Sequence, residues 1–306
     1  MLKVVELFCG IGGLAAALDG RGRVAAAVDV NTKALDVYAR NFPHPVRART
    51  IESLRASDFL RWDADLWWLS PPCQPFTRRG LGRDAEDPRA RPFLAVLARV
   101  AEVPPRYLAL ENVPGFRGSK VHGLLLETLE RAGYAEVHER LICPSELGIP
   151  NRRTRYYLVA SRESLSSRVA EAPSTGLRPL RDYLEPDPDP DLTVGAELVR
   201  RYEGALHLVD PRDPAAVTSC FTSAYGRSHV RSGSYLVTEA GVRRFSPREV
   251  LRLLGFPPSF VLAPDMPHRK AWRLVGNSLS LAPVRAVLSA IPELGGRQPS
   301  PSDSVD

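Results

Sequence analysis

Short, nearly unbroken apolar runs punctuate the first half of the chain, at residues 3–8, 24–28, 64–70, 107–111 and 156–160. Runs of this length, lacking the polar alternation of a half-exposed strand, are expected of strands covered on both faces. Between them, residues 32–41, 92–102 and 123–132 place apolar side chains three and four positions apart, the spacing of a helix with one buried stripe. Alternation of such strands and helices predicts an α/β fold built on a doubly wound, Rossmann-like parallel sheet.

The pattern changes after Ser161. Residues 172–191 carry five prolines and end in the run Glu185-Pro186-Asp187-Pro188-Asp189-Pro190-Asp191, which reads as an exposed linker. Residues 193–238 mix short β-prone pieces with Gly, Ser and Arg, so a small, mostly β or irregular second domain is expected. Ser246 has the character of a helix N-cap, with Pro247 in the first turn, Glu249 completing a capping box and Gly255 at the end. A last helix is expected over 279–291 and a disordered tail from 292. The chain therefore divides into residues 1–165, a linker and small domain over 166–242, a segment over 243–292 that completes the first domain, and a tail over 293–306.

Composition narrows the classes. With 306 residues and 44% hydrophobic content the chain can fill a large core, which excludes a disordered or fibrous protein. The 41 basic residues exceed the 35 acidic ones by six, all but four of them are arginines, and the pI is near 9.3, a balance that permits a polyanionic partner. Cys9, Cys73, Cys143 and Cys220 are scattered, which suggests neither a metal ribbon nor a disulfide framework and implies a reduced, cytoplasmic protein. Glu6 and the glycines after it argue against a secretion signal at the N-terminus, and no apolar run approaches the ~18 residues of a membrane span.

Candidate chemistry sits at the predicted strand ends. Phe8-Cys9-Gly10-Ile11-Gly12-Gly13 lies where a strand meets a helix and lets a ligand approach the backbone, while Asp29, nineteen residues beyond Gly10, stands where nucleotide-binding folds hold a ribose; a tight turn and a solvent-facing Asp explain them equally well. Pro71-Pro72-Cys73-Gln74 fixes a cysteine just past a buried strand, at the edge where open α/β sheets bind ligands. Glu111-Asn112-Val113 ends another strand. Asn151-Arg152-Arg153-Thr154-Arg155 enters a further one, with Arg153 and Arg155 on one face, as a ligand site or as a basic edge that deters strand pairing.

Together with Val275-Gly276-Asn277-Ser278, these motifs resemble, in their order, those of the cytosine carbon-5 methyltransferases. Asp29-Val30-Asn31-Thr32, Asn41-Phe42-Pro43-His44, Pro75-Phe76-Thr77, Leu147-Gly148-Ile149-Pro150-Asn151 and Cys220-Phe221-Thr222 resemble the tRNA-methylating branch, a group first classed with the DNA methyltransferases. The resemblance covers 2–160 and 217–288. It implies a Rossmann-like methyltransferase sheet with a small target-recognition domain, and a transfer from S-adenosylmethionine, yielding S-adenosylhomocysteine, with no metal. Carbon 5 of cytosine is a weak nucleophile, so a thiolate first adds to carbon 6; Cys73 matches that nucleophile. Glu111 matches the acid at ring nitrogen 3, and Arg153 and Arg155 match the pair whose charge favours thiolate over thiol.

For the cofactor, the resemblance places Phe8, Gly10, Ile11 and Gly13 at its amino-acid part, Asp29 at the ribose, Val30 and Ile51 at the adenine, and Pro72, Asn277 and Ser278 at the remaining contacts. For the substrate it implies Asn112, Cys220, Phe221 and Thr222. Arg78 and Arg79, with Arg83, Arg89 and Arg91, follow the nucleophile closely enough to clamp phosphates, and Arg227, His229 and Arg231 form a second basic set. Departures from the wider family are Val30 and Asn151, which point to the tRNA branch, and Thr50, which stands where many members have an acid near the adenine. The expected substrate is a cytosine of the tRNA anticodon loop (position 38), in aspartate or glutamate tRNA, bound by a monomer; the alternative is duplex DNA. An unpaired loop base is delivered to a pocket at lower cost than one flipped from a duplex.

Overall fold

A computed structural model describes residues 1–76, 84–166 and 176–295. The chain opens with β1 (Leu2–Leu7), α1 (Gly13–Leu18), β2 (Gly22–Asp29), α2 (Thr32–Asn41), β3 (Val46–Ala48), α3 (Ala56–Trp62) and β4 (Leu66–Leu69). It continues through α4 (Arg91–Glu102), β5 (Tyr107–Asn112), α5 (Lys120–Arg131), β6 (Glu136–Ile142) and β7 (Arg155–Ser161). The strands form one seven-stranded sheet in the order β3-β2-β1-β4-β5-β7-β6. Its side chains alternate between two cores: Val4 and Trp68 pack on one face with Leu14, Tyr38 and Val284, and Val5 and Trp67 on the other with Phe59, Phe93 and Leu125.

The sheet is mixed, which corrects the expectation of parallel strands throughout. β1 to β5 are parallel, whereas β7 is antiparallel to both β5 and β6. β6 was not expected as a strand because it is a half-exposed edge rich in charge, Glu-Val-His-Glu-Arg-Leu-Ile, without a buried run. The reversal matters for the site. Because β7 enters where β5 leaves, with Tyr157 opposite Glu111 and Tyr156 opposite Asn112, the arginines at the start of β7 reach the carboxyl edge of the sheet.

The second half forms a small sheet of β8 (Thr193–Val194), β9 (His207–Val209), β10 (Ser234–Thr238) and β11 (Gly241–Arg244), in the order β8-β11-β10-β9, with the short α6 (Ala196–Arg201). α7 (Pro247–Leu254), α8 (His268–Gly276) and α9 (Leu281–Leu288) then return to the first sheet, where α9 packs on α1. α7 has the expected cap: Ser246 Oγ accepts from the Glu249 amide at 3.0 Å, the Glu249 carboxylate accepts from the Ser246 amide at 2.8 Å, and Gly255 closes the helix at φ 86°.

The proline-rich segment is exposed over most of its described length, residues 186, 187 and 189–191 among them, as expected of a linker, but it is anchored at a few points. Leu180, Tyr183 and Leu192 are buried, the Glu185 amide donates to Glu249, and Arg252 donates to the Leu184 carbonyl. Apolar residues spaced among the prolines bind this extended strap to α7, so it belongs to the folded body. Among the described residues no helix is long and apolar enough to cross a membrane.

Candidate active site

A cavity of about 300 Å³ opens at the carboxyl edge of the large sheet. The loop after β1 forms one wall, and its turn needs left-handed backbone at Phe8 (φ 59°), Gly10 (φ 53°) and Gly12 (φ 91°). Asp29, at the end of β2, accepts from the Gly10 amide at 2.9 Å and the Asn31 amide at 2.8 Å, tying this loop to the start of α2. Val30 beside it is 69% exposed although apolar, a surface suited to a flat ring.

The opposite wall carries Cys73, on the loop after β4, and Glu111, at the end of β5. Asn112 is buried: its side-chain amide reaches the Pro71 carbonyl at 3.4 Å while its oxygen accepts from the Val113 amide at 2.8 Å. It holds the Pro-Pro-Cys loop and does not line the cavity. Arg155 Nε lies 3.3 Å from Glu111 Oε1, and Arg155 Nη2 donates to Cys220 Sγ at 3.5 Å. Arg153 lines the cavity as a buried strut, donating to the Phe221 carbonyl at 2.9 Å, Cys220 Sγ at 3.3 Å, the Gly276 carbonyl at 3.3 Å and the Ser278 carbonyl.

The C-terminal segment closes the cavity with Asn277, Ser278 and Leu279. A Cβ on Gly276 would lie 2.4 Å from the Thr222 carbonyl, so only glycine lets this turn meet the Cys220-Phe221-Thr222 segment. Gly13 is similar, since a Cβ there would lie 2.9 Å from Leu279 Cβ.

The structure thus brings Phe8, Gly10, Ile11, Gly13, Asp29, Val30, Pro72, Cys73, Glu111, Arg153, Arg155, Asn277 and Ser278 to one cavity. Others sit elsewhere. Ile51 is buried in the core beneath the sheet and does not line it. The Phe221 ring packs on Tyr225 and Phe245 and offers only its carbonyl, to Arg153. Thr222 bonds within its own loop, to the Ser232 carbonyl. Cys220 lies behind the arginines and not on the cavity wall. Arg89 is spent on Asp87 at 2.6 Å, whereas Thr77, Arg78, Arg79 and Arg83 lie outside the described residues.

Comparison with known proteins decides the family. The family model described as C-5 cytosine-specific DNA methylase matches residues 2–194 and 196–293. The chain belongs to this family of cytosine-5 methyltransferases. It is 30% identical to a Mus musculus protein named tRNA (cytosine(38)-C(5))-methyltransferase, with 95% of this chain and 94% of the relative aligned. A protein of the same name from Schizosaccharomyces pombe is 31% identical, with coverages of 95% and 97%. The crystal structure of the S. pombe Dnmt2 methyltransferase superposes with a TM-score of 0.85 at 30% identity, covering 97% of this chain and 99% of that one.

Around this cavity three ionisable groups share the same two arginines. Burial pushes the Cys73 thiol above its ordinary range and Glu111 adds to the rise, against the opposing pull of Arg155 and Arg153. Burial likewise raises the Glu111 carboxyl, though the same two arginines oppose it. Cys220 behaves differently: burial would raise it, but direct bonds to Arg153 and Arg155 bring it below the usual thiol range. Arg153 and Arg155 thus pull down Cys73, Glu111 and Cys220 together, and at Cys73 and Glu111 burial outweighs them.

Arg153→Ala should be destabilising. It leaves the Phe221, Gly276 and Ser278 carbonyls without their buried donor, so urea unfolding is expected to show a loss of about 3 kcal/mol or more. Stability within about 0.5 kcal/mol of wild type would contradict the strut.

Proposed function

We propose that this chain transfers a methyl group from S-adenosylmethionine to carbon 5 of a cytosine in the tRNA anticodon loop, at position 38, with aspartate and glutamate tRNAs as substrates. The observation that carries the reading is the match, over nearly the whole of both chains, to relatives named for that reaction. The local segment Cys220-Phe221-Thr222, docked on Gly276, supports it.

The cavity fits the cofactor. The glycine loop lets a ligand approach the backbone, Asp29 presents a carboxylate to a ribose, Val30 presents an apolar face to a base, and the buried Arg153 Nε has no partner in the protein and remains free to donate. When bound, S-adenosylmethionine supplies an electrophilic methyl group, which carbon 5 cannot accept unaided. Cys73, once its thiol proton has passed to solvent, adds as the thiolate to carbon 6 of the ring while the protonated form of Glu111 gives its proton to ring nitrogen 3, so the electron pair of the carbon 5–carbon 6 bond becomes available at carbon 5. Carbon 5 takes the methyl group, its own proton is then lost to solvent, the electron pair so released re-forms the carbon 5–carbon 6 double bond and expels Cys73 as thiolate, and ring nitrogen 3 returns its proton to Glu111. Arg155, beside Glu111 in the resting site, also pulls on Cys73 and stabilises its sulfur as the thiolate before addition and again as the carbon–sulfur bond breaks.

Two basic regions support a nucleic-acid partner. Among the described residues Arg227 and Arg231 are exposed and have no carboxylate partner. They stand at the tip of a loop whose base, at Phe221, is fixed to Arg153. If this loop meets phosphates, alanine at both positions reduces tRNA affinity and lowers the slope of log affinity against log salt by about 0.7 per lost contact. An unchanged slope would remove these residues from the interface. The same measurement applies to Arg78 and Arg79.

The deciding assay offers labelled S-adenosylmethionine with total tRNA or duplex DNA in parallel. Label is expected in tRNA, at the anticodon-loop cytosine. Label confined to DNA would overturn the substrate and keep the chemistry, and label in neither would overturn the transfer.

A further inference from the structure

Glu6 is a buried carboxyl that the transfer chemistry does not use. It sits in β1 beneath the glycine loop, 1% exposed. Its Oε1 accepts from the Leu14 amide at 3.1 Å and its Oε2 from the Tyr38 hydroxyl at 3.1 Å, and the Tyr38 hydroxyl also meets His44 Nδ1 at 3.2 Å. The first turn of α1 has amides with no intrahelical acceptor, and its N-cap, Gly12, has no side chain to supply one. Glu6 supplies it from the neighbouring strand.

The other end of the arrangement explains the Asn41-Phe42-Pro43-His44 motif. His44 stacks on Phe42, with centroids 5.7 Å apart and planes within 2°. A Cβ on Gly12 would lie 2.5 Å from the Phe42 ring and 3.0 Å from the Tyr38 ring, so both aromatics press directly against the glycine loop. Asn41 joins this brace to the C-terminal half, donating to the Val261 carbonyl at 2.8 Å and accepting from the Val261 amide at 2.7 Å.

We propose that Glu6, Tyr38 and His44 are a positioning chain for cofactor binding, holding the glycine loop and the first turn of α1 in the shape that receives the amino-acid end of S-adenosylmethionine. The inference rests on the cofactor assignment above. One proton sets the polarity of the chain. With Glu6 ionised, Tyr38 donates to it and accepts from His44 Nδ1; with Glu6 protonated, Glu6 donates to Tyr38 and Tyr38 donates to His44. The titratable groups facing Glu6 and Tyr38 are Cys9, Asp29 and His44, and none supplies a fixed cation. Burial pushes Glu6 up to about 8, with Asp29 adding to the rise and the Leu14 amide and Tyr38 opposing it. The proton is therefore expected to leave within the pH range of the test below.

The test measures S-adenosylhomocysteine binding by calorimetry between about pH 7 and pH 9, together with kcat and KM for S-adenosylmethionine. Glu6→Ala is expected to weaken binding and raise KM by about tenfold or more, with kcat at saturation within about threefold. Glu6→Gln, which keeps an acceptor for the Leu14 amide, should restore most of the affinity and lose the wild-type dependence on pH. Tyr38→Phe keeps the packing on Gly12 and removes only the hydroxyl, so a smaller loss of affinity is expected even where Glu6→Ala fails to fold. Wild-type affinity in Glu6→Ala or Tyr38→Phe, a loss confined to kcat, or an unchanged pH profile in Glu6→Gln would overturn the chain. Absence of binding by the wild type would instead overturn the cofactor assignment.

Discussion

Alanine at Cys73 is expected to lower methyl transfer by at least about 10³-fold while S-adenosylhomocysteine binding stays within about twofold. No other thiol can take over the role. Cys220 lies behind Arg153 and Arg155, bonded to both, and does not line the cavity. Cys9 does line it, on the cofactor side, but burial, with Glu6 and Asp29 nearby, holds its thiol well above the usual range. Labelled-methyl incorporation checks the rate and calorimetry checks the binding. Residual transfer within tenfold of wild type would place the nucleophile elsewhere. A serine at this position tests sulfur itself, since its hydroxyl preserves the shape of the loop but is a far weaker nucleophile near neutral pH.

The legible parts of this protein are those where burial is complete. β4 and β5 stand out as unbroken apolar runs because both of their faces are covered, and the caps of α2 and α7 are written in Asn31, Ser246, Glu249 and Gly255. β6 was hidden because an edge strand with one solvated side carries Glu136, His138, Glu139 and Arg140 and lacks a run. The anchoring of the proline-rich segment is hidden for a related reason: prolines and aspartates dominate its composition, while the few apolar residues that bind it to α7 form no periodic pattern.

Within the site, the residues at strand ends were legible because a strand that is buried along its length must deliver its last residues to an edge. Asn112 and Phe221 do not line the cavity, because adjacency in sequence to a site residue does not fix which way a side chain points. Asn112 turns back to Pro71 and Phe221 into the core, although both lie beside cavity or arginine contacts. Glu6 entered the sequence reading only as a charge that spoiled a secretion signal. Its partners, Leu14 and Tyr38, come from two different helices, and nothing short of the fold brings them to one carboxyl.

Glu111→Gln is the second large effect, and its signature lies in the pH profile as much as in the rate. Transfer as proposed needs a proton on Glu111 and none on Cys73. Burial raises both groups from their ordinary values, against the pull of Arg155 and Arg153, and a carboxyl ordinarily titrates below a thiol. Between the two values, each step upward in pH gains thiolate and loses protonated Glu111 in equal proportion, and the wild-type rate is expected to be flat. It falls below the carboxyl value, where the thiolate is lost and no proton is gained, and above the thiol value, where only the acid is lost. Glutamine still bonds to the cytosine edge but has no proton to give, so transfer near neutral pH should drop by about 10²-fold or more. With the acid removed from the balance, the remaining rate should climb about tenfold per pH unit until Cys73 is ionised. A variant whose rate stays flat across the neutral range would show that Glu111 positions the base without protonating it, and the addition of Cys73 would then need another acid.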